Sequence, residues 1–110
     1  MKLPNGDQAY IPPEKLTGYL LSETHMVGQA KARFFQRLGF TSANADLLAA
    51  QLLNIAHNAD TAILSSSPHG QKYSLIGMIY GPDQRIARVQ TIWIIEPDDN
   101  RPRFVTAYPA

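Results

Sequence analysis

The chain has 110 residues, 45% hydrophobic and 17% charged, enough for one globular domain with a modest core and too few for a second. A net charge of +1 lacks the broad basic excess of a general phosphate binder, and the absence of cysteine excludes disulfides, thiolate metal sites and thiol chemistry. No apolar run reaches the roughly 18 residues of a membrane span and MKLPNGDQAYIPP has no signal-peptide core, so the sequence reads as soluble, cytoplasmic and without a membrane partner.

An N-terminal arm offers one strand around Gln8 to Ile11, after which Pro12-Pro13-Glu14 opens a helix: proline suits a first turn and an acid suits the dipole there. Leu16, Tyr19 and Leu20 form its apolar stripe. Ser22 to Met26 breaks the pattern before Val27-Gly28 restarts it, and the second helix ends at Gly39 as its C′ residue. At about 100° per residue, Lys31 falls in the middle of an apolar face made by Val27, Phe34, Phe35 and Leu38, while Arg33, Gln36 and Arg37 point away. A buried lysine needs a partner, so Lys31 either meets a carboxylate, carbonyl or anionic ligand, or lays its stem on Phe34 and Phe35 and snorkels to solvent. Thr41 or Ser42 caps a third helix whose inner face is Leu48, Leu52, Ile55 and Ala56.

From Thr61 the helical period gives way to β-branched and aromatic runs: Thr61 to Leu64, Lys72 to Tyr80, Ile86 to Ile95 and Arg103 to Tyr108, separated by Pro-, Gly- and Asp-rich turns. The expectation is one α+β domain over 1–110, with two or three N-terminal helices (about 12–60) packed on one face of a three- or four-stranded antiparallel sheet (about 61–110). Alternation puts Ala87, Val89, Thr91, Trp93 and Ile95 on the core side, and Phe104, Thr106 and Tyr108 together on one side of the last strand. Helices covering this sheet would bring Lys31 to a strip of Thr91, Thr106 and Tyr108. The plainer reading of those hydroxyls is backbone bonding by a β-branched residue and a strand tyrosine with a wet tip.

Among the histidines, His57 suits a helix C-terminus and His69 lies in a polar turn beside Gln71 and Lys72. His25, just before the Lys31 helix, is the stronger candidate. A histidine beside a lysine serves proton transfer and stabilisation of a developing anion, and attack of an RNA 2′-hydroxyl on its phosphodiester is a reaction of that kind. The histidines lack ligand spacing and no acidic cluster stands out, so neither a metal nor another cofactor is expected. Arg85, Arg88, Arg101 and Arg103 concentrate in the second half, as solvated strand edges or as a local binding patch.

Leu3-Pro4-Asn5-Gly6, Lys15-Leu16-x-x-Tyr19-Leu20-Leu21, His25-x-x-Gly28-x-x-Lys31-Ala32 with Phe34 or Phe35, Gly70-Gln71-x-Tyr73, Thr91-x-Trp93-Ile94 and Pro102-Arg103-x-x-Thr106-x-Tyr108 resemble an uncharacterised bacterial domain family over nearly the whole chain. Domains of that family occur free-standing and at the C-termini of polymorphic toxins. The resemblance implies similarity to the barnase, EndoU, colicin D and RelE group of metal-independent endoribonucleases. It implies His25 as general acid or base, Lys31 as phosphate stabiliser, and Thr91, Thr106 and Tyr108 as sheet-borne members of the catalytic set. Gln71, Arg88, Trp93 and Arg103 stand beside them as binding contacts. RNA and a cognate antitoxin or immunity protein are the implied partners. Met1 lies close to the first family element, which suggests a stand-alone intracellular protein. The alternative is a non-catalytic protein-interaction or immunity-like module on the same fold.

Overall fold

The structure, a computed structural model, describes residues 1–22, 29–60 and 62–110, the side chains of Gln29 and Ala30 excepted. Helix α1 (Pro13–Lys15) starts where the two prolines predict, with proline at its first position and Glu14 in the first turn. It then widens into a π-helical turn over Leu16–Leu20, closed by the Leu21 N–H donating to the Leu16 carbonyl at 2.8 Å. Leu20 is fully buried in this wide turn, whereas Tyr19 lies half-buried at the rim of the helical layer.

Helix α2 (Gln29–Arg37) buries Ala32 and Phe35, with Leu38 just beyond it, and leaves Phe34 half-buried. The buried stripe is therefore centred on Phe35, and Lys31, about 40° round the wheel from it, falls within the same arc between Phe35 and Leu38, yet it is only half-buried and its ammonium reaches the Tyr19 ring. Gly39 (φ 99°) ends the helix as predicted: its N–H donates to the Gln36 carbonyl at 2.9 Å and that of Phe40 to the Phe35 carbonyl at 3.1 Å, a Schellman pair. Thr41 is the cap, its hydroxyl accepting from the Ala43 N–H at 3.2 Å while its own N–H donates to Asn44 Oδ1 at 2.7 Å. The capped turn leads into α3 (Ala45–Asn58), which buries the expected Leu48, Leu52, Ile55 and Ala56.

Strands β1 (Ala62–Ser67), β2 (Gly70–Tyr80), β3 (Ile86–Ile95) and β4 (Arg103–Pro109) form one antiparallel meander in sequence order. The first hairpin reaches further into the serine run than β-propensity suggests, because Ser67 closes the turn, donating to the Gly70 carbonyl at 2.9 Å and accepting from the His69 N–H at 3.2 Å. The N-terminal arm makes no strand. A single parallel bridge joins Tyr10 to Arg103, since the following Pro12 and Pro13 have no N–H with which to extend a ladder.

The inner sheet face carries Tyr73, Leu75 and Ile79 opposite Trp93, Thr91 and Ala87, and packs on the helices. At Gly77 a Cβ would stand 2.7 Å from Ile55, so the absent side chain is what lets α3 approach β2 this closely. A bulge between Ile92 and Trp93 shifts the β3–β4 register. Phe104 consequently faces Trp93 and Ala107 faces Thr91 on the inner side, while Thr106 and Tyr108 lie opposite Ile92 and Gln90 on the outer side. The strict alternation that put Phe104, Thr106 and Tyr108 together is thus broken, because one extra residue reverses every side chain beyond it. The helices cover only the inner face; Ile63, Ile76, Met78, Tyr80 and Ile86 of the other are exposed.

Candidate functional site

The bulge divides the expected hydroxyl strip between two faces. Thr91 is fully buried on the inner one; it donates to the Leu75 carbonyl at 3.0 Å and accepts from Trp93 Nε1 at 2.8 Å. Both hydrogen-bonding roles of its hydroxyl serve the core, and the indole, fully buried and edge-on to Phe104 with ring centroids 5.3 Å apart, has no surface to offer a ligand. Thr91 and Trp93 are accordingly core residues rather than site residues. Gln71 sits on the inner-face row at the hairpin end, accepting from the Ser66 hydroxyl at 3.1 Å.

Thr106, on the outer side of the edge strand β4, is met instead by a residue that pattern reading placed only in an apolar stripe. The Tyr19 hydroxyl lies 3.2 Å from Thr106 Oγ1, and the ammoniums of Lys15 and Lys31 stand 5.2 and 5.6 Å from the Tyr19 ring centroid. Lys31 is also among the groups that lower the pKa of the phenol. Lys31 projects from the apolar side of α2 and its ammonium ends over the Tyr19 ring; among the described residues no carboxylate pairs with it. The wide turn of α1 carries Tyr19, α2 carries Lys31 and β4 carries Thr106, so the cluster exists only in the assembled fold. Its one local signal was the Lys15–Tyr19 spacing of four, which stacks the two on one helical face.

Burial alone would raise the Tyr19 pKa; the hydrogen bonds of Thr106 and Lys31 and the positive charges of Lys31 and Lys15 outweigh it and hold the phenol below its ordinary 10.0. A lowered native pKa means that folding favours the phenolate. The resulting stabilisation is fully present above 10.0 and is lost as pH falls through the native value. Subtracting the alkaline ultraviolet titration of Tyr19→Phe from that of the parent is expected to leave a tyrosinate step with its midpoint below 10.0, and Lys31→Ala to move that step upward. A step at or above 10.0 would contradict the electrostatics described here.

Of the remaining expected site residues, Tyr108 follows Thr106 on the outer face and is half-buried. Arg88 is exposed on that face opposite Met78 and borders a depression of about 570 Å³ with Asp60 and Gln90. Arg103 donates from Nε to Glu96 at 2.9 Å, which commits its charge to a partly solvated ion pair. His25 lies outside the described residues. The fold thus brings Lys31 to Thr106 through Tyr19, keeps Tyr108, Arg88 and Arg103 on the outer sheet face, and separates them from Thr91, Trp93 and Gln71.

A solved structure described as a contact-dependent growth inhibition toxin–immunity protein complex from Klebsiella pneumoniae 342 contains a similar chain, with a TM-score of 0.74 at 14% identity over 94% of this chain and 95% of that one. At that identity the likeness is one of fold. No curated protein matches the sequence. A family model described as a domain of unknown function, DUF6883, matches residues 2–110. With that span matched almost end to end, the chain belongs to the DUF6883 family.

Proposed function

We propose that this chain is a toxin-type domain that cleaves RNA by acid–base catalysis with side chains alone. The observation that carries the reading is the Tyr19 hydroxyl beside Thr106, with two ammoniums, Lys31 and Lys15, over the same ring. Cleavage by the neighbouring 2′-hydroxyl needs a base for that proton, an acid for the departing 5′-oxygen, and positive charge for the pentavalent phosphorane. Lys31, with Lys15 beside it, supplies the charge. Tyr19, acidified by both, is suited to give the leaving oxygen its proton, and the Thr106 hydroxyl orients the phenol. His25 takes the base role in this scheme, by its place before α2 in the chain and by the family resemblance. The similarity in fold to a chain of a toxin–immunity complex supports a toxin-associated setting, with a cognate immunity protein as partner.

Tightly controlled expression of the parent is expected to arrest growth and to fragment cellular RNA; the purified protein should leave 2′,3′-cyclic phosphate ends in the presence of a chelator. Normal growth and intact RNA with abundant folded protein would overturn the reading. The exposed Ile63, Ile76, Met78, Tyr80 and Ile86 of the outer face favour a second one, a non-catalytic protein-interaction module. In that case Tyr19→Phe changes stability alone, and substitutions on the outer face abolish partner binding.

A further inference from the structure

We infer that the outer-face groove beside Thr106 binds one nucleotide of a single-stranded RNA, next to the phosphate engaged by Tyr19 and Lys31; this rests on the RNA-cleaving reading. The groove has a volume of about 410 Å³, within the size range of small-ligand sites. Its floor is a single rung across the whole sheet: Ile63 faces Ser74, Ser74 faces Ile92 and Ile92 faces Thr106. At the β4 end of that rung stands Thr106, whose hydroxyl is also the one 3.2 Å from Tyr19, so the groove and the proposed reaction centre share a wall.

The remaining lining has the chemistry of a nucleotide. Ile92 gives an apolar floor, Tyr108 an aromatic ring, Ser65 and Ser74 hydroxyls, and Lys72 an ammonium, with no carboxylate among the lining residues. Ser74 accepts from Gln90 Nε2 at 2.6 Å, which leaves its own O–H to donate to a ligand. A nucleobase has two apolar faces and a polar edge, which suits a ring to stack on and hydroxyls to bond, and its phosphate suits a single cation. A wholly apolar ligand would leave Lys72 without purpose, and an extended acidic peptide would find one positive charge and no matching row of them.

The test is fluorescence anisotropy with a labelled, uncleavable tetranucleotide carrying 2′-O-methyl riboses, titrated with the parent, Tyr108→Ala, Tyr108→Phe and Lys72→Gln, each checked for folding by circular dichroism. Tyr108→Ala is expected to weaken binding about tenfold through lost stacking, and Tyr108→Phe to bind like the parent. Lys72→Gln should reduce the slope of log affinity against log salt by about 0.7, the value for one single-strand phosphate contact. If Tyr108→Ala fails to fold, Lys72→Gln decides. No binding by the parent, unchanged binding by both Tyr108→Ala and Lys72→Gln, or capture of a protein by this face with no oligonucleotide affinity would overturn the assignment. The two readings fail separately. Oligonucleotide binding with the expected losses, but intact RNA under the parent, sinks the cleavage reading and leaves the groove assigned; cleavage whose KM is unmoved by Tyr108→Ala and Lys72→Gln does the reverse.

Discussion

Lys31→Ala is expected to lower the single-turnover rate of RNA cleavage by about 10²–10³-fold, the range for removing one preorganised group that faces developing charge, while the melting temperature changes little. The asymmetry follows from where the ammonium is. Lys31 is half-buried on the apolar side of α2, and its charge is spent on the Tyr19 ring rather than on an ion pair among the described residues. Removing it costs the fold one cation–π contact, about 0.5–1 kcal/mol at such a site, but in the proposed mechanism it strips the phosphorane of a stabilising cation and returns Tyr19 toward the acidity of an ordinary phenol. Lys31→Met separates stem from charge, since it keeps most of the apolar contact and none of the ammonium. It should be as slow as Lys31→Ala and more stable than it. A Lys31→Met protein that cleaves at the parental rate would reduce Lys31 to a snorkelling core lysine.

Trp93→Ala carries the largest expected loss of stability, about 3–5 kcal/mol for truncating a large core aromatic, out of the roughly 5–15 kcal/mol that holds a domain of this kind folded. The indole is fully buried and edge-on to Phe104, and its N–H donates to the buried Thr91 hydroxyl, which itself donates to the Leu75 carbonyl. Truncation therefore opens a cavity and also removes one of the two hydrogen bonds of the buried Thr91 hydroxyl, the other being its donation to the Leu75 carbonyl. Trp93→Phe retains a ring but no donor, and should cost about 0.5–1.5 kcal/mol for the lost hydrogen bond on top of a smaller loss of packing. Denaturant unfolding reads both, and oligonucleotide affinity per folded molecule should stay at the parental value. A Trp93→Phe protein of parental stability with selectively lost affinity would return Trp93 to the binding site and overturn its assignment to the core.

These two residues also show where reading the chain succeeds. Trp93 and Thr91 share a strand face by period two, and that face is the buried one. The side of β4 that bears Thr106 and Tyr108 was not accessible in the same way, because β-bulges follow from how two strands pair and leave no composition mark in either. Lys31 stood out on the wheel, but its partner did not. Tyr19 comes from a different helix, and the π-helical turn that carries it departs from the spacing on which wheel arguments depend.

What the chain determined by itself is local: a helix opened by Pro12 and Pro13, a cap at Thr41 or Ser42, a stop at Gly39, the α3 stripe, three or four antiparallel strands, and a lysine in need of a partner. Those features depend on backbone restrictions and on periodicities that act within a few residues. Tertiary structure decided which face each hydroxyl occupies, that Thr91 belongs to the core, and that Tyr19, Lys31 and Thr106 meet. A meeting across an edge strand depends on long-range register and on the crossing of separate elements, so it takes shape only when the layers pack.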